Sequence, residues 1–183
     1  MVSDNERDDW FITVTGKRMF VRDPRVADID IIDIAHGLSN ICRFGGQCYS
    51  FLSVAQHSVF VSQLVPVCMQ FVGLMHDATE AYLGDVIRPL KRQLPEYKAI
   101  EVLWWYAIAE KFGLPKLIPE EVHTADNIAL VTERRDLVPP HHWPWKEDER
   151  GYVPHKQQIR PLAPPDARMQ FMDRFREVSK EVA

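Results

Sequence analysis

The chain has 183 residues, 46% of them hydrophobic and 26% charged, with a formal net charge of −4. That length suits one domain of about 100–200 residues with its own core, and the apolar share excludes a disordered polymer. The mild acidity excludes a duplex nucleic-acid coat or a polybasic membrane binder, while a small anionic ligand needs only a few local cations.

In chain order, Met1 to Asp9 is polar and acidic, without the apolar stretch of a signal peptide. Phe11 to Val14, a Thr15-Gly16 turn and Lys17 to Val21 predict a small β-hairpin over 10–21. Ile31, Ile34, Ala35 and Leu38 predict a helix over 30–40 with Asp30 as its N-cap. Arg43-Phe44-Gly45-Gly46 is a break. Three cysteines (Cys42, Cys48, Cys68) lack Cys-x-x-Cys spacing and predict free thiols, packed as small hydrophobes in a reducing, cytoplasmic setting.

Ser53 to Val65 predicts an amphipathic helix with Val54, His57, Val61 and Leu64 on one face, stopped by Pro66. Met69 to Leu83 predicts one nearly all-apolar helix closed by Gly84. The apolar run there is far shorter than the roughly 20 residues of a membrane span. Pro89 and Pro95 mark a loop, Glu96 to Phe112 a long helix ended by Gly113, and Pro119 to Leu137 another. Between Pro139 and Pro165 lie seven of the 13 prolines with Trp143 and Trp145, which predicts an irregular segment packed on the body. A last helix is expected over 166–182. The expected architecture is a single all-α domain: a helical core over about 30–137, the hairpin at 10–21, and the Pro-rich segment with the last helix over 138–183.

Chemistry concentrates at His76-Asp77, inside Gly-Leu-Met-His-Asp-Ala-Thr-Glu-Ala-Tyr-Leu-Gly-Asp (73 to 85). Burying an unpaired polar group costs about 2–7 kcal/mol and a charge costs more, so metal-ligand residue types in an apolar run point to a compensating divalent ion. Glu80, one turn beyond His76, faces the same way. His57 on the preceding helix and Asp126 on a later one complete two imidazoles and two carboxylates. Such a mixed set suits a transition ion better than calcium or thiolate zinc.

The order His57, His76-Asp77, Asp126 resembles the HD-domain metal-dependent phosphohydrolase superfamily. His-Asp-Ala-x-Glu, Gly84-Asp85, Pro89-x-Lys91 and Glu96 to Glu101 look like the bacterial HD-domain 5′-deoxynucleotidases and the related phage HD-domain dATP triphosphohydrolases. Ser53 to Ser58 is similar to the helix carrying the first ligand there. Arg43-Phe44, 14 residues before His57, looks like their nucleotide-contacting pair. The match covers roughly 31–137, and no further histidines stand at the spacing of a two-iron cyclic-dinucleotide phosphodiesterase.

The resemblance implies one divalent ion (Mn, Co, Zn, Fe or Ni, with Mg as a substrate-bound ion) held by His57, His76, Asp77 and Asp126. It implies Glu80 orienting the nucleophile or passing a proton, and Asp85 as a second acid/base group. Arg43 and Lys91 would clamp phosphate, and Phe44 would stack on base or sugar. The expected activity is hydrolysis of deoxynucleoside monophosphates. Alternatives are triphosphate hydrolysis on the same site and a non-catalytic, metal-dependent nucleotide binder. Relatives of this kind form homo-oligomers, for which Trp104-Trp105-Tyr106 is a candidate contact.

Overall fold

Trp10–Ile12 (β1) and Arg18–Phe20 (β2) pair antiparallel, with Phe11 opposite Met19, in a computed structural model that describes residues 8–179. The turn closes through Gly16, whose φ of 80° a side chain would strain, and through a Thr13–Lys17 backbone bond. Helices form the rest of the body. Ile31–Asn40 (α1) starts at Asp30, whose carboxylate accepts from the Ile32 N–H. Val54–Leu64 (α2) starts at Ser53, whose hydroxyl accepts from Gln56. Both caps satisfy amides that a helix start leaves open.

The expected single helix over 69–83 is two. Gln70–Met75 (α3) gives way to a tightened turn through His76–Thr79, and Glu80–Leu83 (α4) follows. Ala78 donates to Met75 and Glu80 to Asp77, bonds that reach back three residues, and this is how a helix overwinds. The expected loop at Pro89 contains a turn of helix, Arg88–Lys91 (α5), because proline fits a helix start. Pro95–Phe112 (α6) ends at left-handed Gly113, and Glu120–Leu137 (α7) follows Pro119. The Pro-rich segment is irregular except for Lys146–Glu149 (α8). Pro164–Val178 (α9) closes the chain. The extension of that helix toward 182 and the first seven residues, where the N-terminal expectation falls, lie outside the described residues.

Helix α2 is the central element. It packs on α1, α3, α7 and α9. Ile34, Leu38, Leu74, Trp104, Ile108 and Phe171 are fully buried in one cluster around it, each large apolar side chain contributing about 1.5–3 kcal/mol. A second cluster joins Phe60, Val61, Trp105, Val122 and Ala129. Trp104 and Trp105 are therefore core, while Val102, Leu103 and Tyr106 are exposed on α6. Gly37 sets the α1–α4 distance: a Cβ there would stand 2.6 Å from the Ala81 carbonyl oxygen.

The Pro-rich segment packs on the body through specific bonds. Gln56 donates to the Arg160 carbonyl and accepts from the Leu162 N–H, and Arg135 donates to the carbonyls of His155 and Gln157. All three cysteines are free thiols, but Cys68 is exposed and so departs from the expected buried packing. It lies in the exposed connection from α2 to α3, where Pro66 and Val67 also face solvent.

Candidate metal centre

Helix α2 presents His57, the turn after α3 presents His76 and Asp77, and α7 presents Asp126. One ligand atom from each of His57, His76 and Asp126 lies within 4.8 Å of the others. Asp77 stands beside the two imidazoles: its Oδ2 is 3.2 Å from His76 Nε2 and 3.5 Å from His57 Nε2. Asp126 Oδ1 is 3.3 Å from His57 Nε2. Both Nε2 atoms are buried without a hydrogen-bond partner among the described residues.

Both rings are fixed from behind. His76 Nδ1 lies 2.8 Å from the Gly73 carbonyl, so Nδ1–H donates and Nε2 presents a lone pair. His57 Nδ1 lies 2.7 Å from Glu133 Oε1, and Arg43 Nε donates to the other oxygen of Glu133 at 2.9 Å. Two orphaned imidazole nitrogens facing two carboxylates are donor types that could hold a metal ion. These residues fit such an ion.

The acids around the cluster divide into two kinds. Burial opposes ionisation of Asp77, but the His76 and His57 rings with Arg43 hold it far below the usual carboxylate range. Asp126 is likewise held low against burial, mainly by His57. Burial, then the charges of Asp77 and Asp85, push Glu80 well above its ordinary value. Burial also raises Asp85, with Arg43 pulling the other way and Asp77 adding to the rise. Asp77 and Asp126 thus stay ionised more readily while two neighbours hold protons more readily, the separation that general acid work needs. Burial and the Arg43 charge act against a proton on His57, yet Glu133 and Asp126 outweigh them and raise its pKa to about 9.

The structure gathers the other sequence candidates unevenly. Arg43 is buried, with Nη1 3.9 Å from Asp77 Oδ2. Phe44, at φ 59°, lies beside the Arg43 guanidinium and 6.3 Å from the Trp145 ring. Glu80 is buried with Oε2 unpartnered among the described residues. Lys91 stands 3.7 Å from Glu80 but pairs more closely with Glu101, at 2.7 Å.

Two residues of the site are absent from the sequence expectations. Glu133 follows Asp126 by seven residues, two turns along the same face of α7, and that spacing of acids beside buried Ala129 and Leu130 is its signal. Arg88 donates to Asp126 Oδ2 at 2.6 Å, to Asn127 at 3.0 Å and to Glu147 at 2.9 Å. Nothing local marks it, because its partners come from distant α7 and α8.

Fold and cluster together define an all-α protein with a small N-terminal hairpin and a buried His/Asp group able to hold a metal ion. Among the described residues no helix is long and apolar enough to cross a membrane. No family model matches the chain. It is 46% identical over 168 residues to the uncharacterized protein YfdR of Escherichia coli (strain K12), covering 92% of this chain and 94% of that protein. It is 34% identical over 137 residues to the uncharacterized protein RCAP_rcc00048 of Rhodobacter capsulatus, covering 69% of each. The chain belongs to the same protein family as YfdR.

Proposed function

We propose that the protein is a metal-dependent phosphohydrolase of the HD-domain type that hydrolyses deoxynucleoside 5′-monophosphates. The observation that carries this reading is the pair of buried, unpartnered Nε2 atoms of His57 and His76 facing Asp77 and Asp126. When bound there, a divalent ion such as Mn, Co, Zn, Fe or Ni neutralises charge on a phosphoryl oxygen and makes water a better nucleophile near neutral pH.

The remaining steps belong to the chain. Arg43, anchored by Glu133, offers Nη1 to a non-bridging oxygen. Glu80 orients the attacking water and takes the proton it loses as its oxygen bonds to phosphorus. The bond from phosphorus to the 5′-oxygen breaks, and Asp85, whose pKa burial raises, is the acid placed to hand a proton to the leaving oxygen. Triphosphate hydrolysis is the second reading. It needs more uncommitted cations, and here Arg43, Arg88 and Lys91 already pair with Glu133, Asp126 and Glu101, which favours the monophosphate. The same reading takes the protein as cytoplasmic and homo-oligomeric, with Val102, Leu103 and Tyr106 as the contact.

The test incubates protein loaded with Mn, Co, Zn or Mg with deoxynucleoside mono- and triphosphate panels and identifies the phosphate species released. Orthophosphate from monophosphates is expected. Glu80→Gln should keep its metal content while kcat falls about 10²–10⁴-fold, the usual scale for losing an acid/base group. Inertness toward both panels with every ion defeats the proposal.

A further inference from the structure

A cleft of about 600 Å³ opens between the 46–49 loop and the 138–145 segment, lined by Gln47, Tyr49, Pro140, His141, Trp143 and Trp145. That volume lies within the range of small-molecule sites, about 300–1,000 Å³. Its aromatic content is dense. His141 stacks on Trp145 at 5.9 Å, His142 lies 4.3 Å from Trp143, and the Arg134 guanidinium covers Trp145 at 4.8 Å. Trp145 is thus locked between partners. Trp143 meets the His142 and His141 rings but, like Tyr49, stays open, with 69% and 67% of their surfaces in solvent, so each keeps ring surface available to a ligand.

Both walls of this cleft are linked to the metal centre through neighbouring residues. On one side Gln47 donates its N–H to the Phe44 carbonyl at 3.1 Å, which closes a single tight turn, and the next residue back is Arg43, reaching toward Asp77. On the other side Trp145 begins α8, whose Glu147 holds the Arg88 that holds Asp126. A ligand with its anionic end at the cluster would reach this groove of aromatic rings and one amide past Phe44, which lies against Arg43 and 6.3 Å from the Trp145 ring. Stacking on free ring faces suits a flat heteroaromatic group, and the Gln47 amide offers both a donor and an acceptor.

We infer that the cleft walled by Tyr49, Gln47 and Trp143 is a nucleobase subsite, so that the Pro-rich segment holds the base of the nucleotide whose phosphate meets the His/Asp cluster. The inference rests on the phosphohydrolase reading for the phosphate end. The base end stands on the cleft alone and is tested without any phosphate.

The probes are deoxyadenosine, which has a base and no phosphate, and 2-deoxyribose 5-phosphate, which has a phosphate and no base. Full-length, metal-loaded protein is titrated with each by calorimetry. Trp143→Ala removes a solvent-facing ring, and Gln47→Ala is a second, smaller change. Deoxyadenosine binding should weaken about tenfold in Trp143→Ala, the scale of one lost stacking partner, and measurably in Gln47→Ala. Binding of 2-deoxyribose 5-phosphate and metal content should not move.

If nucleoside binding falls in the variants while no phosphate ester is hydrolysed by wild type, the subsite stands and the proposed activity fails. If wild type hydrolyses nucleotides with a KM unmoved by either substitution, the activity stands and the subsite is refuted. It is also refuted if the nucleoside does not bind, or binds wild type and variants equally.

Discussion

Arg88 Nη2 donates to Asp126 Oδ2 across 2.6 Å, leaving Oδ1 of the same carboxylate turned toward His57 at 3.3 Å. One oxygen is thereby held by α5 so that the other faces the cluster. Arg88→Ala should weaken divalent-ion affinity about 10–100-fold, the usual cost of losing a group that orients a ligand. Lysine should not restore it, because the second arm of the guanidinium also binds Asn127 and Glu147 and an ammonium has no such fork. Competition against a chelating dye measures this. Unchanged affinity in both variants would remove Arg88 from the centre.

The pKa of His57, raised to about 9 from an ordinary 6.5, fixes two pH dependences. In ion-free protein the imidazolium stabilises the fold; that contribution is fully present below 6.5 and is lost as pH rises through about 9. A metal ion requires the neutral ring, so binding expels a proton. Affinity should therefore drop by about tenfold for each pH unit below about 9. Calorimetry at several pH values, in buffers of different ionisation enthalpy, reads both affinity and released protons. A flat profile without proton release contradicts the assignment of His57 as a ligand.

Glu133 bridges two cations inside the core, His57 at 2.7 Å and Arg43 at 2.9 Å. Glu133→Ala takes the nearest carboxylate from a buried guanidinium and leaves it Asp77 at 3.9 Å, a broken buried pair that costs up to about 3–5 kcal/mol. Glu133→Gln keeps the volume and one acceptor, so it should cost less while lowering the His57 pKa and shifting the metal-binding profile to lower pH. Urea denaturation of the three proteins gives the order. Equal stability for Glu133→Ala and wild type would contradict it.

Backbone meets backbone where Gly37 faces Ala81, with only 2.6 Å between the position of an added methyl and a carbonyl oxygen. Gly37→Ala must push α1 from α4, the helix that begins at Glu80. A destabilisation of about 1–3 kcal/mol is expected from overpacking, with a lower melting temperature as the readout. Full tolerance would mean that α4 shifts freely.

The helical core is legible in the sequence wherever a local signal exists. Asp30 and Ser53 act as caps, Pro66 and Gly113 stop helices, and His57 lies on the buried face of its helix. The break between α3 and α4 is not legible, since His76 and Thr79 keep right-handed helical dihedrals and only the hydrogen-bond pattern tightens. Within the site, His76 and Asp77 come from one stretch and stand together, while Glu80 starts α4 after the tightened turn and not on a continuous helix with His76. Arg88 has partners 38, 39 and 59 residues away, and no periodicity encodes such a contact. Lys91 reads from sequence as a free phosphate cation because its partner Glu101 comes from the next helix.

Gln56 gives both ends of its amide to the stretch at Arg160 and Leu162, one residue before His57 along the chain. Phe171 of α9 is sealed in the same interior as Leu74 and Trp104. The C-terminal quarter is accordingly a buttress for α2 and not an appendage to it. A fragment ending at Leu137 would keep every candidate ligand yet strip the support from the helix that aims His57, so truncation there dismantles the cluster without touching one of its own side chains.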